Sequence, residues 1–129
     1  MTTEIAIFKG KEIRKTIYNN EWWFSVVDVV GVLTDSANPN DYWYKMKIRV
    51  KDEEEIQLST ICRSLKLEAS DEKKYETDCA NTEGMFRIIQ SIPSPKAEPL
   101  KRWLAKVGYE RIQEIEDPEL ATKRTKMLH

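Results

Sequence analysis

Hydrophobic and polar side chains alternate through most of the first 24 residues, a pattern that is typical of strands with one covered face. Residues 4–8 alternate loosely, and Ile13, Lys15 and Ile17 follow with a period of two before Tyr18. Gly10 permits a tight turn between these segments, and the pair Asn19-Asn20 tolerates the positive φ of a second turn. An aromatic segment follows at residues 21–24. We expect three short strands in an antiparallel meander.

The valine-rich segment after the meander carries a helix-start signal. Ser25 and Asp28 are spaced as in a capping box, in which the hydroxyl and the carboxylate each accept an amide hydrogen that the first turn leaves unpaired. This predicts a helix that runs to Thr34. The β-branched residues from Val26 to Val32 also fit a buried strand, and the sequence leaves that alternative open.

A second helix start lies at Asn38-Pro39-Asn40-Asp41, because proline at the first helical position loses no needed hydrogen bond. One helical stripe then contains Tyr42, Trp43, Met46 and Val50. The segment from Lys45 to Lys51 also alternates strictly, so the alternative is a strand whose cations lie about 6.7 Å apart on one face. In either case we expect the cations to point away from the aromatic side.

The middle of the chain predicts a second hairpin. Residues 65–69 alternate, residues 70–73 form a turn, and residues 75–79 alternate back. A set that suits either a short helix or a loop comprises Ile56, Leu58, Ile61 and Leu65. Asn81 or Thr82 then caps a helix that ends before Pro93. Its expected buried stripe comprises Met85, Phe86, Ile88 and Ile89.

The last part of the chain predicts two further helices. Ser94 and Pro95 open the first, whose apolar face comprises Leu100, Trp103, Leu104 and Val107. Pro99 requires that this helix either starts afresh there or bends. Asp117-Pro118 starts a final helix.

Together these elements predict an α+β fold, a small antiparallel sheet built from hairpins and packed with about four to five helices. We expect one domain over residues 1–112. Residues 113–129 read as the start of a C-terminal helix truncated from a longer chain, because that helix has little to bury alone.

Composition narrows the class of protein. The length of 129 residues is usual for one domain. No apolar run approaches the roughly 20 residues that cross a bilayer, and the amino terminus lacks a leader pattern, so we expect a cytoplasmic protein with no membrane partner. Cys62 and Cys79 are the only cysteines and His129 is the only histidine, too few for a zinc site. We expect structural thiols and no metal.

The sequence offers poor candidates for catalysis. Its four glycines form neither a dinucleotide fingerprint nor a phosphate loop. A nucleophile activated by histidine would have to recruit the terminal His129, and Asp28 is explained by helix capping. The acidic run at residues 53–55 fits a solvated turn better than a metal site. We therefore expect no enzyme activity and no cofactor.

The net charge is −1, but the charges are clustered, with two basic groups each followed by an acidic one. The candidate DNA-binding residues are Lys45, Lys47, Arg49, Lys96, Lys101, Arg102, Lys106 and Arg111. Lysines at these positions would neutralise phosphates, and arginines could pair with base edges in the major groove. Charges on the outer side of a helix are also explained by solubility alone.

Two adjacent tryptophans supply a candidate for partner binding. Trp22 and Trp23 must point to opposite faces of a strand, so one of them faces outward. We expect this to be Trp22, because Trp23 falls with the core aromatics. An exposed indole could stack on a base or anchor a protein partner.

Two stretches near the C-terminus, Thr82 to Ser91 and Ser94 to Leu104, combine a helix, a short proline-broken loop and a second helix around Lys101-Arg102-Trp103. This pattern resembles the amino-terminal domain of BRO proteins and prophage antirepressors. Further matching positions are Phe8, Ile13-Arg14, Trp23-Phe24, Asp28-Val29 and Leu33, so the resemblance covers most of the chain. The run from Leu65 to Asp78 is similar to antirepressor-like proteins of bacterial chromosomes.

The resemblance implies a regulatory module. In the family this domain is associated with DNA binding in viral members and with relief of repression in phage members, often beside a variable C-terminal domain. We therefore expect binding to double-stranded DNA in transcriptional control. Many relatives continue with a basic segment, whereas Arg111-Ile112 is followed here by a segment with three acids, Glu114, Glu116 and Asp117. The alternative is an antirepressor that binds a repressor protein without touching DNA, and the sequence leaves a homodimer open.

Overall fold

The computed structural model of the protein describes residues 2–54 and 57–109. The strands within these residues are β1 Glu4–Phe8, β2 Lys11–Tyr18, β3 Glu21–Ser25, β4 Arg63–Glu68 and β5 Lys74–Asn81. The helices are α1 Val26–Thr34, α2 Pro39–Glu54, α3 Thr82–Gln90 and α4 Ala97–Gly108, with a short 3-10 helix at Leu58–Ile61. The predicted α+β fold is confirmed. Ile56, Arg111, the domain boundary at 112 and the final helix lie outside the described residues.

The five strands form one antiparallel sheet in the order β1-β2-β3-β5-β4, which leaves β1 and β4 as its edges. Lys9 and Gly10 have φ values of 48° and 79° in the first turn, and Asn19 and Asn20 have 51° and 61° in the second. Positive φ at both central residues suits the natural twist of a two-residue hairpin. The predicted meander is confirmed.

The helix starts are set by side-chain caps. The Ser25 hydroxyl accepts the Asp28 amide hydrogen at 3.4 Å, and the side-chain Oδ1 of Asn38 accepts the Asp41 amide hydrogen at 3.1 Å. Both segments are helices, so the two strand alternatives are wrong. The second half of the predicted capping box is also wrong, because the Asp28 carboxylate accepts hydrogen bonds from Arg14 on β2 instead.

The α3 and α4 helices follow the predicted apolar stripes. Asn81 caps α3, with its side-chain oxygen accepting the Gly84 amide at 2.9 Å. Pro99 lies in the first turn of α4, where no backbone hydrogen bond within the helix is lost, so the helix needs no bend. Trp103 packs edge-on against Phe8 of β1, with ring centroids 5.6 Å apart, and holds α4 on the sheet.

The main core lies between the helices and one face of the sheet, and it includes Trp22 at 1% exposure. A smaller cluster on the other face contains Trp23, Leu65 and Leu67. The prediction that Trp22 faces outward is wrong. Both faces of β3 are covered, because β4 approaches β2 across the second face: Arg14 Nη1 donates to the Glu68 carbonyl at 3.2 Å.

Candidate nucleic-acid interface

Helix α2 presents the most distinctive surface among the described residues. It buries Trp43, Met46 and Val50 on one side, while Tyr44 and Ile48 on the opposite side are 61% and 46% exposed. Four cations flank these two side chains. We call this surface the α2 outer face, and it comprises Tyr44, Lys45, Lys47, Ile48, Arg49 and Lys51.

The helix period distributes the four cations on two sides. Successive residues turn by about 100°, so residues four apart share a side and residues two apart do not. Lys47 and Lys51 therefore lie on one side of the Tyr44-Ile48 strip, and Lys45 and Arg49 lie on the other. The sequence has no acidic residue from position 42 to position 51, so the α2 outer face is cationic over nearly three turns.

Three of these cations contact other groups. Lys45 is paired with Asp41 at 3.0 Å, yet its side chain is 73% exposed. Lys47 is paired with Asp78 at 3.3 Å and its ammonium lies 5.2 Å from the Trp43 ring centroid. The expectation that the cations point away from the aromatic side is therefore wrong for Lys47. Arg49 donates to the Ser91 carbonyl at 3.2 Å and remains exposed.

Shallow depressions border the α2 outer face on both sides. On the Lys45 side, a depression of about 380 Å³ is lined by Arg49, Met46 and Asn38. On the Lys47 side, one of about 410 Å³ is lined by Tyr44, Tyr75 and Asp78. Groups of a bound macromolecule could therefore enter on either side of the helix.

The cations predicted on and before α4 have different surroundings. Lys96 pairs with Asp35 at 2.6 Å and also donates to the Val32 carbonyl, so it joins the start of α4 to the end of α1. Lys101 pairs with Glu98 at 2.8 Å. Arg102 and Lys106 are exposed and make no salt bridge with the described part of the chain. The cations predicted here therefore form two groups: Lys96 and Lys101 pair with neighbouring acids, and Arg102 and Lys106 are exposed.

The two ion pairs of Lys96 and Lys101 lower the pKa values of the carboxyl groups that they contact. Lys96 lowers the pKa of Asp35, mainly through the hydrogen bond and then through its charge. Lys101 lowers the pKa of Glu98 in the same way. Both ammonium groups are thus engaged by neighbouring acids, and a phosphate would have to compete with those acids for them.

A family model described as the BRO family, N-terminal domain, matches residues 12–114. The chain belongs to the BRO family. The resemblance drawn from the sequence is confirmed, and the match includes all of α2. No curated protein and no solved structure matches the chain. In this BRO domain, β1 lies ahead of the matched region.

Sequence reasoning missed the most elaborate polar contact of the BRO domain, the ion pair of Arg14 with Asp28. The available signal was the resemblance, because both residues stand in its matching positions. Capping alone seemed to explain Asp28, and a partner 14 residues away cannot be read from helix periodicity. The pair lies beside a depression of about 440 Å³ that Glu12 and Glu68 also line.

Both cysteines of the described residues are free thiols, Cys62 half-buried and Cys79 buried. Burial raises the pKa of Cys62 and that of Cys79 to about 12, so both thiols stay protonated near neutral pH. Within residues 2–54 and 57–109, no group of three or more His, Cys, Asp or Glu side chains could hold a metal ion. None of the helices described is long and apolar enough to span a bilayer.

Proposed function

We propose that this BRO domain is a regulatory DNA-binding module of a phage or prophage antirepressor-like protein that acts in transcriptional control in the cytoplasm. The α2 outer face is its contact with double-stranded DNA. The observation that carries the proposal is the segment from Tyr42 to Lys51, which has four cations and no acid and whose outer side is exposed at Tyr44 and Ile48. The domain acts by binding and not by catalysis, and it needs no cofactor.

The dimensions of α2 suit the major groove. Its 16 residues extend about 24 Å at 1.5 Å per residue, and the groove is about 12 Å wide. With Tyr44 and Ile48 directed at base edges, Lys45 and Arg49 on one side and Lys51 on the other would face the phosphates of opposite strands. The two-sided distribution of the cations is the one that a helix lying in a groove requires.

The proposal implies weak, salt-sensitive binding. A net charge of −1 gives little general attraction to DNA, so affinity must come from local phosphate contacts. Lys47 contributes less than its neighbours, because its ammonium is shared with Asp78. Lys45, Arg49 and Lys51 are the expected main contacts.

Fluorescence anisotropy with a mixed-sequence duplex, between about 50 and 200 mM salt, tests the proposal. We expect binding by the wild type at low salt and its loss in the double variant Lys45→Glu, Lys51→Glu. A single Lys51→Ala change should lower the salt slope by about 1. The matched control is Arg102→Glu, Lys106→Glu on α4, which changes the net charge equally and should retain most binding. No binding at low salt, or equal losses in both double variants, contradicts the proposal.

A second candidate function is binding to a repressor protein without DNA contact. The observation that favours it is the apolar centre of the same face, where Tyr44, Ile48 and nearby Tyr75 are all exposed. Aromatic anchors with a polar rim are typical of protein interfaces. A pull-down from the native host should then recover a protein with wild type that is absent with Ile48→Glu. Recovery of DNA fragments alone would contradict this alternative.

A further inference from the structure

The two edges of the sheet differ in how they meet solvent. On β4, Leu65 and Leu67 are buried while Ser64 and Lys66 are exposed, so this edge carries the polar side chains that discourage strand pairing. On β1, the exposed positions are Ile5 at 55% and Ile7 at 54%. A strand edge with exposed isoleucines and no lysine within it favours pairing with another strand.

The hairpin register shows which backbone groups of β1 point outward. Phe8 and Lys11 close the two-residue turn and form a hydrogen-bonded pair, and such pairs alternate along an antiparallel ladder. Ala6 therefore bonds inward to Ile13. Ile5 and Ile7 direct their N–H and C=O groups away from β2, and no strand of residues 2–54 and 57–109 pairs with them.

We propose that two copies of the chain associate through β1, antiparallel about a two-fold axis at Ala6. In this register Ile5 of one copy lies opposite Ile7 of the other, and the two residues exchange both backbone hydrogen bonds. The symmetric pair adds two more bonds. The register uses the outward-pointing groups of both copies, and it brings four exposed isoleucines into one patch on the sheet face that the helices do not cover.

The small size of Ala6, which lies on the two-fold axis, and the charged residues at the ends of β1 are both compatible with this register. Ala6 meets Ala6 of the second copy as a non-hydrogen-bonded pair, the closest approach in an antiparallel ladder at about 4.5 Å between Cα atoms, and its small, half-exposed side chain leaves room. Antiparallel pairing also brings the acidic end at Glu4 beside the basic turn of the second copy, which contains Lys9 and Lys11. A second copy is therefore complementary to β1 in backbone, size and charge.

Disulfide trapping of the full chain tests the register. Ala6→Cys should form a covalent dimer under mild oxidation, because about 4.5 Å between Cα atoms lies within the range of disulfides. Ile5→Cys is the matched control. Its two copies would lie about 8 Å apart, beyond disulfide reach, so it should remain monomeric on a denaturing gel. The wild type is the control for any cross-linking through the native Cys62 and Cys79. Equal cross-linking of both variants, or none of Ala6→Cys, overturns the proposal.

Sedimentation velocity supplies a second measurement that needs no cysteine. The wild type should shift from monomer to dimer as its concentration rises, and the surface variant Ile5→Lys, Ile7→Lys should stay monomeric with an unchanged circular dichroism spectrum. Ile48→Lys on α2 controls for the loss of an exposed isoleucine and should still dimerise. A monomeric wild type at every concentration, or loss of the dimer in Ile48→Lys, overturns the proposal. Neither result depends on DNA binding by α2.

Discussion

Arg14 and Asp28 join β2 to α1 through a two-pronged ion pair, in which Nε and Nη2 of Arg14 donate to the two carboxylate oxygens at 2.8 and 3.0 Å. The backbone N–H of Arg14 donates to the same carboxylate at 3.0 Å. The side chains are only 21% and 18% exposed. The pair raises the pKa of Arg14, mainly through the hydrogen bond to Asp28. It therefore links the sheet, the first helix and, through Glu68, the second hairpin.

Asp28→Asn should destabilise the fold by about 2 kcal/mol, because it leaves a half-buried guanidinium without its counter-charge. Urea unfolding measures the change. Asp41→Asn is the matched control: it removes an exposed partner, that of Lys45, and should cost below about 0.5 kcal/mol. Equal costs for the two variants would show that the Arg14 pair has no special role.

The Lys96–Asp35 pair makes stability depend on pH. The folded pKa of Asp35 is lowered. The contribution of the pair to stability is therefore complete above the unfolded pKa of about 3.9, and it is lost as the pH falls through the folded pKa. The stability difference between wild type and Lys96→Met should be constant near neutral pH and shrink in acid. NMR titration should also show a higher pKa of Asp35 in the variant. An unchanged pKa contradicts the pairing.

Gly108→Ala should destabilise the contact between α4 and α3. A Cβ at this position would collide with the Thr82 hydroxyl and approach its Cβ and Cγ2 at 3.1 Å. We expect a loss of about 1–3 kcal/mol in thermal or urea unfolding. In a Thr82→Ala background the loss should fall by about 1 kcal/mol, because the colliding atoms are gone. Strict additivity of the two changes would argue against this contact.

Cys62 and Cys79 should react slowly with a thiol reagent in the native state at pH 8. Burial raises both pKa values to about 12, so little thiolate is present. After denaturant is added, both thiols should react much faster than in the native protein. The absorbance of the released reagent measures the labelling rate. Fast labelling of the native protein would contradict the burial of these thiols.

Local signals in the sequence were sufficient for most of the secondary structure. Each of these signals depends on residues within a few positions of one another, and each was predicted correctly: the turns at Gly10 and at Asn19-Asn20, the Ser25 and Asn38 caps and the apolar stripe of α4. The strand alternative for residues 45–51 could not be dismissed from the pattern, because the same side chains satisfy both periods. The cap at Asn38 and the packing of Trp43 selected the helix.

The surroundings of the predicted DNA-binding cations could not be predicted from local patterns, because they depend on residues that are distant in the sequence. Lys96 and Lys47 looked like phosphate contacts, yet Asp35 and Asp78 engage them from 61 and 31 positions away. Trp22 was expected outside because a flat sheet has one open face. Curling of the sheet brings β4 over the second face, so both tryptophans are covered.

By itself the sequence determined the family, the order of the helices and strands and the residues that form their buried stripes, since these follow from local periodicity, capping and matching motifs. Tertiary structure alone decided which cations stay exposed, which acids hold the others and how Arg14 finds Asp28. Side-chain pairing across the fold depends on the sheet order and its curvature, and those emerge only when all the elements pack together.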